Sequence, residues 1–339
     1  MHYKKLPKEF LEEFINRLRK WGEVHAPQKK GKNTYFFSRL DDPSKVQIDY
    51  TRTVIPPTKK YVLRPVEPLM LFHGDRAEEH TLRTTKLVLF GVHACDINAL
   101  KILDRVYLSE PRDPYYEIRR KNIVIIGISC MPDDYCFCKS MGADYAMSGF
   151  DLFLHELRDG YLIRVGSPMG HEITWNISDI LEEVSEEDIE YLKKFERQRL
   201  SSFKRHVDIS AMPDILDLAY NSRVWERYSE KCLGCGNCTL VCPTCRCFET
   251  YDVWLSVNTS MRVRRYDSCF MVSHGLVAGG HNFRPTRLDR FRHRYYCKSY
   301  LDPIHGINCV GCGRCDEFCP AGIKHIEVLN EVIGEIYGR

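Results

Sequence analysis

Eight cysteines in two matching runs carry the most specific chemistry in this sequence. The first run is Cys232-Leu-Gly-Cys235-Gly-Asn-Cys238-Thr-Leu-Val-Cys242-Pro243, and the second is Cys309-Val-Gly-Cys312-Gly-Arg-Cys315-Asp-Glu-Phe-Cys319-Pro320. Both follow C-x2-C-x2-C-x3-C-P, the spacing with which bacterial-type ferredoxins hold iron–sulfur clusters. Three thiolates in a tight loop reach three corners of a cubane, and small residues such as Gly234 and Gly311 let the backbone come close. The fourth cysteine, followed by proline, begins a new segment and ligates the other cluster. The expected sets are therefore crossed. Cys232, Cys235, Cys238 and Cys319 hold one 4Fe–4S cluster, and Cys309, Cys312, Cys315 and Cys242 hold the second. Structural zinc is the competing reading of paired C-x2-C motifs. A zinc ribbon uses two pairs, however, and has no need of a third and fourth cysteine before proline. The pattern predicts a chain that carries electrons.

Four more cysteines fall after two expected strands. Cys95 lies in Gly91-Val-His-Ala-Cys95-Asp, and Cys130, Cys136 and Cys138 lie in Ser129-Cys130-Met-Pro-Asp-Asp-Tyr-Cys136-Phe-Cys138. Loops after strand C-termini form the ligand crevice of open α/β sheets. Cys95, Cys130, Cys136 and Cys138 are thus expected to hold a third 4Fe–4S cluster, with zinc again the competitor. His93, Asp96 and Asp133 stand nearby as candidate outer partners or substitute ligands. Cys245, Cys247, Cys269 and Cys297 read as core thiols or as shields for neighbouring clusters. A fourth cluster is the lesser alternative for them.

The elements that must position these thiols follow from periodicity. Phe10, Leu11, Phe14, Ile15, Leu18 and Trp21 recur at helical spacing between Pro7 and Gly22, giving an amphipathic opening helix. Residues 34–63 alternate short β-branched and aromatic runs with turn residues. Lys86 to Val92 reads as a buried strand, followed by a helix that Asp96 can cap. A second helix near Tyr115 to Arg120 leads to a strand from Asn122 to Ser129. Phe150 to Val165 alternates around Asp159-Gly160 as a hairpin. Ser185-Glu-Glu-Asp188 opens a helix with a capping box, and another begins near Met212. The two cysteine runs are separated by 66 residues, Pro243 through Asn308, which suits a dicluster domain framed by helices. The expected fold is an α/β (or α+β) domain over 1–172, a helical connector over 173–225, and a mainly helical ferredoxin-like dicluster domain over 226–339.

Composition narrows the function classes. The chain has 339 residues, a net charge of +3 and sixteen cysteines, so neither a nucleic-acid tail nor an acidic tail is indicated. Met1-His-Tyr-Lys-Lys-Leu-Pro lacks the apolar core of a signal peptide, and the longest apolar runs are too short to span a bilayer. Sixteen cysteines in that setting point to metal ligation in a reducing compartment, so the cytoplasm is expected. Ser273-His-Gly275-Leu-Val-Ala-Gly279-Gly280-His281-Asn is glycine-rich but lacks a dinucleotide fingerprint. The basic and aromatic stretch from Arg284 to Lys298 reads as a docking or cluster-tuning face in preference to a nucleic-acid surface. No Walker, H-E-x-x-H or G-x-S-x-G motif is present, and no catalytic residue is expected.

With these landmarks, and with Cys242-Pro-Thr-Cys-Arg-Cys and Ser273-His-Gly-Leu-Val-Ala-Gly-Gly-His-Asn-Phe-Arg-Pro-Thr, the chain resembles the β (iron–sulfur) subunit of the soluble nickel–iron hydrogenases, or sulfhydrogenases, of heat-loving archaea. The resemblance covers nearly the full length. A looser one extends to the A subunit of anaerobic sulfite reductases, so an input subunit of a sulfite reductase or formate dehydrogenase is the alternative. A zinc-stabilised binding module is the remote one. The resemblance implies a cytoplasmic heterotetramer. A flavin γ subunit binding FAD and NAD(P)H passes electrons to this chain, which hands them to a small δ subunit and the nickel–iron large α subunit. That complex makes or oxidises H2, and reduction of sulfur or polysulfide is credited to it. FAD, NADP and the NiFe centre would reside in the partners, with no nucleic acid and no membrane involved.

Overall fold

The computed structural model describes residues 3–32, 34–80, 84–299 and 306–338. The chain divides into two compact units. The first comprises Met1–Thr58, Thr84–His206 and Val310–Gly313, and the second Lys59–Arg83, Val207–Cys309 and Arg314–Arg339. In chain order the strands are β1 (Tyr3–Pro7), β2 (Glu23–Lys29), β3 (Tyr35–Arg39), β4 (Val66–His73), β5 (Arg76–Glu79), β6 (Leu87–His93), β7 (Ile123–Ile128), β8 (Leu152–Glu156), β9 (Gly160–Val165), β10 (Phe248–Ser256) and β11 (Thr259–Tyr266).

The first unit is built on a seven-stranded mixed sheet, in the order β1-β9-β8-β7-β6-β2-β3. The central strands β6 and β7 are near-continuous apolar runs and pair in parallel, as do β2 with β6 and β7 with β8. Such runs suit strands covered on both faces. The outer pairs β1–β9, β8–β9 and β2–β3 are antiparallel. Phe14, Ile15 and Leu18 of the helix Leu11–Leu18 are fully buried against Val88, Phe90, Leu152 and Ile163 of the sheet. Each such side chain contributes about 1.5–3 kcal/mol on leaving water. The opening helix is shorter than its periodicity predicts, because β1 and a 3-10 turn at Lys8–Phe10 precede it.

Most local expectations match the elements found. The hairpin is β8–β9, the helix near Tyr115 is Pro114–Lys121 capped by Asp113, and the Ser185–Asp188 capping box is fully formed. Asp96 is not a cap, however. His93 holds that position, and Asp96 sits buried in the first turn of the helix Ala94–Tyr107.

The second unit departs from the helical picture. It has the helices Met212–Leu218, Arg223–Lys231, Arg287–Ser299 and His325–Tyr337, but also a four-stranded antiparallel sheet in the order β10-β11-β4-β5. The β10–β11 hairpin lies inside the stretch between the cysteine runs. Its strands pair antiparallel across a short connection at Val257-Asn258. The partition also differs from the expected 1–172, 173–225 and 226–339. Residues 59–83 join the second unit because β11 pairs with β4, residues 310–313 join the first, and the connector divides after His206. No helix among the described residues is long and apolar enough to cross a membrane.

Candidate metal centres

The first cysteine run leaves the helix Arg223–Lys231 directly, with Cys232 as its C-cap. A loop through Gly234 and Gly236, both at positive φ, carries Cys235 to the short helix Asn237–Leu240, which holds Cys238. Cys319 arrives from the second run. The side-chain amide of Asn237 donates to the Phe318 carbonyl and ties the two runs together. As a result Cys232, Cys235, Cys238 and Cys319 line one cavity, walled by Leu233, Phe270, Phe291, Pro320 and Ile323. Burial pushes the Cys238 thiol up to about 11 against the pull of Arg294. Burial likewise raises Cys232, and the Cys319 and Cys235 sulfurs add to the effect.

Of the second expected set, Cys242, Cys309 and Cys315 belong to the second unit, while Cys312 belongs to the 310–313 segment of the first. Cys242 is buried, 3.3 Å from the Thr244 hydroxyl and in hydrogen-bond contact with the Cys245 thiol. Cys242 and Cys315 both face the Arg294 guanidinium.

Around these thiols lie three basic side chains: Arg294 and Lys298, from the stretch expected to tune a cluster, and Lys59, which no motif singles out. Lys59, Arg294 and Lys298 are 4%, 5% and 6% exposed, and none has a carboxylate partner among the described residues. The Lys59 ammonium donates to the carbonyls of Thr239, Leu240 and Cys242 at 3.2–3.5 Å and sits 4.8 Å above the Tyr266 ring. Lys298 donates to the Thr244 hydroxyl at 2.9 Å, and Arg294 Nη1 lies 4.0 Å from Cys245 Sγ. Burial works against the charge on Lys298, yet the sulfurs of Cys242 and Cys245 outweigh it and raise the pKa. Arg290, Arg294 and Lys298 recur every fourth residue on one buried face of the helix Arg287–Ser299. Arg294 and Lys298 point inward, to the thiols, while Arg290 donates to the carbonyls of Arg284 and Pro285, so this face of the helix is no docking face. The i, i+4, i+8 spacing was the available signal.

The remaining thiols are less scattered than their sequence positions suggest. The Cys269 thiol donates to Cys247, which also meets the His274 imidazole, and both contacts hold Cys247 down at about 4. His274 Nδ1 lies 2.5 Å from Asp267 Oδ2.

In the first unit, Cys95 stands at the start of Ala94–Tyr107 after β6, and Cys130, Cys136 and Cys138 follow β7. Cys130, Cys136 and Cys138 are near enough to raise one another's pKa, and Cys95 and Cys312 pack on the cluster containing Cys138, Ala99, Ile102 and Val310. Burial pushes Cys130 up to about 11 and Cys136 up to about 12, with Arg52 opposing. The Arg52 guanidinium pairs with Asp133, lies 3.6 Å from Cys136 Sγ and donates to the Cys312 carbonyl at 2.9 Å. A cavity of about 230 Å³ opens beside Cys130, bounded by Tyr50, Asp133, Glu156 and Phe195. Gly311 does permit a close approach, but to this segment. A Cβ there would lie 2.6 Å from the Cys138 nitrogen and the Phe137 carbonyl, and one on Gly313 would lie 2.4 Å from the Tyr135 carbonyl oxygen.

Residues 231–323 match the family model described as a 4Fe–4S dicluster domain. The chain is 58% identical over 332 residues, 98% of each chain, to the sulfhydrogenase 2 subunit beta of Pyrococcus furiosus. No solved structure matches it.

Proposed function

This chain belongs to the sulfhydrogenase β-subunit family, and we propose that it relays electrons between a flavin subunit and a nickel–iron hydrogenase module. It is an iron–sulfur electron-transfer subunit of a hydrogenase complex, with a dicluster domain at its C-terminal end. The finer reading gives it three 4Fe–4S clusters. Cys232, Cys235, Cys238 and Cys319 hold the first, Cys309, Cys312, Cys315 and Cys242 the second, and Cys95, Cys130, Cys136 and Cys138 the third. Bound there, the clusters would supply one-electron transfer.

The observation that carries this reading is the cavity lined by Cys232, Cys235, Cys238 and Cys319, four thiols from two ends of an 88-residue stretch. The buried cations support it independently. A charge taken out of water needs a counter-charge, and the sulfurs facing Arg294 and Lys298 provide one only as thiolates or metal-bound thiolates, while burial pushes Lys59 down against the pull of the same sulfurs. The protein's own work is to position the sulfurs, exclude water from them and set their potential by charge and hydrogen bonding. The flavin, the NAD(P)H site and the nickel–iron centre are assigned to partner subunits γ, δ and α, and the complex to the cytoplasm. H2 is the proposed terminal substrate, with sulfur or polysulfide as further acceptors.

The test is iron, acid-labile sulfide, zinc and nickel per chain after anaerobic purification, alone and in the native complex. About twelve irons per chain are expected for three clusters. About eight would remove the Cys95 site from the relay, and zinc without iron would end the electron-transfer reading. Nickel should accompany the complex; sirohaem in its place would transfer the chain to a sulfite reductase.

A further inference from the structure

His325 opens the helix His325–Tyr337 and lines the same cavity as Cys232, Cys235, Cys238 and Cys319. It is only 7% exposed. Its backbone N–H donates to Asp316 Oδ1 at 2.8 Å, and its Nδ1 lies 2.7 Å from the Tyr295 hydroxyl. Its Nε2 is buried and has no hydrogen-bond partner among the described residues. A buried polar atom left that way is costly, and such atoms call for a reason.

Tyr295 decides which ring nitrogen carries the proton. Its hydroxyl is buried and has the imidazole as its one hydrogen-bond partner among the described residues. A phenol with a single partner places its O–H on it, because a buried donor is costlier to leave unmet than a spare lone pair. Nδ1 therefore accepts, and the ring proton sits on Nε2. The result is a fixed N–H donor at the wall of a sulfur-lined cavity.

We propose that His325 donates its Nε2–H to sulfur of the cluster held by Cys232, Cys235, Cys238 and Cys319 and thereby raises that cluster's reduction potential. The inference rests on the ligand set proposed above. A hydrogen bond to sulfur stabilises the more negative, reduced state of a cluster and so moves its potential upward. Cys315 and Asp316 offer a rival acceptor, since a ring nitrogen of His325, the Cys315 sulfur and an Asp316 oxygen lie within 4.8 Å of one another. Asp316 already accepts the His325 backbone N–H and a contact from Cys315 Sγ. Cys315 belongs to the other expected set.

The experiment is a redox titration of the anaerobic full-length chain followed by electron paramagnetic resonance, with Cys319→Ala identifying the signal of the first cluster. His325→Leu is expected to lower that cluster's midpoint by about a tenfold change in its oxidised-to-reduced ratio, roughly 59 mV for one electron. His325→Gln keeps an N–H donor and should recover part of the shift. Tyr295→Phe frees Nδ1 to take the proton and should give a smaller downward shift. An unchanged midpoint in His325→Leu at full iron content overturns the proposal, and so does a shift confined to the cluster of Cys315. Should His325→Leu lose iron, the Gln and Tyr295→Phe variants decide, and wild-type midpoints in Tyr295→Phe would overturn it. If Cys319→Ala leaves every cluster signal intact, the ligand set itself is wrong, whatever His325 does.

Discussion

At the scale of single residues, charge sits where burial makes it expensive. Lys298 has no carboxylate partner among the described residues and faces the sulfurs of Cys242 and Cys245. Lys298→Met is expected to lower the potential of the neighbouring cluster and weaken its retention, which redox titration and iron loss to a chelator would measure. Equal potentials in variant and wild type would remove Lys298 from cluster tuning. His155 on β8 is the opposite case, a base kept uncharged. Burial, with Arg164 and Arg199 beside it, holds its pKa at about 3. An unfolded histidine protonates near 6.5, so between those values the unfolded chain binds the extra proton. Stability is therefore full above about pH 6.5 and falls with decreasing pH, by at most about 1.4 kcal/mol per unit. Thermal melts from pH 7 to pH 5 should show that slope, and His155→Phe should flatten it. The thiols were readable in the sequence because the proposed cluster ligation imposes spacing. Arg294 and Lys298 fall within a stretch that reads as cluster-tuning, but Lys59 does not show, because it lies about 180 residues from the carbonyls it meets, and no spacing rule spans that distance.

Secondary-structure elements were legible wherever local chemistry decides. The capping box at Ser185 is one example, and Ser185→Ala should cost about 0.5–2 kcal/mol in a denaturant titration, with far-UV circular dichroism otherwise unchanged. β6 and β7 announced themselves as apolar runs, and the cysteines that follow them come together because parallel strands end on the same side of a sheet. The β10–β11 hairpin leaves little apolar trace in the sequence, because β10 is exposed along most of its length and only Val263 and Arg264 of β11 are buried. Gly311 shows how little room one element leaves another. Its backbone is at φ +63°, and any Cβ would meet Phe137 and Cys138 at 2.6 Å. Gly311→Ala should displace the Tyr135–Cys138 segment, lowering iron content more than a matching Gly234→Ala, which has no heavy atom within 4 Å. Equal iron in the two variants would contradict the close packing.

On the scale of the molecule, the second unit is discontinuous in sequence. Its sheet needs β4, contributed by residues 66–73, as the inner partner of β11. A fragment beginning at Val207 would leave β11 with an open edge, and such edges recruit other chains. It should aggregate when expressed alone, while a version carrying residues 59–83 on a linker should stay in solution and bind iron. Size-exclusion chromatography of both fragments under anaerobic conditions checks this, and a monodisperse Val207 fragment would refute it. Sequence reading drew the boundary elsewhere because pairing between distant strands leaves no periodic trace. The family, by contrast, was legible nearly end to end, since its landmarks sit in the loops that hold the thiols.

Lys59, Arg294 and Lys298 have one more consequence, for the life of the chain before assembly. Without metal, these buried basic groups face thiols of which Cys238, through burial, and Cys245, through its hydrogen bond to Cys242 and burial, stay protonated while Cys242 is held down, so the second unit should lose much of its reason to close around them. Metal loading then doubles as a folding step, because binding energy at such a site is folding energy. A cell short of iron would make this subunit in a loosened, protease-sensitive form and clear it. Iron supply would thus govern how much of the protein accumulates, through degradation and without any dedicated sensor.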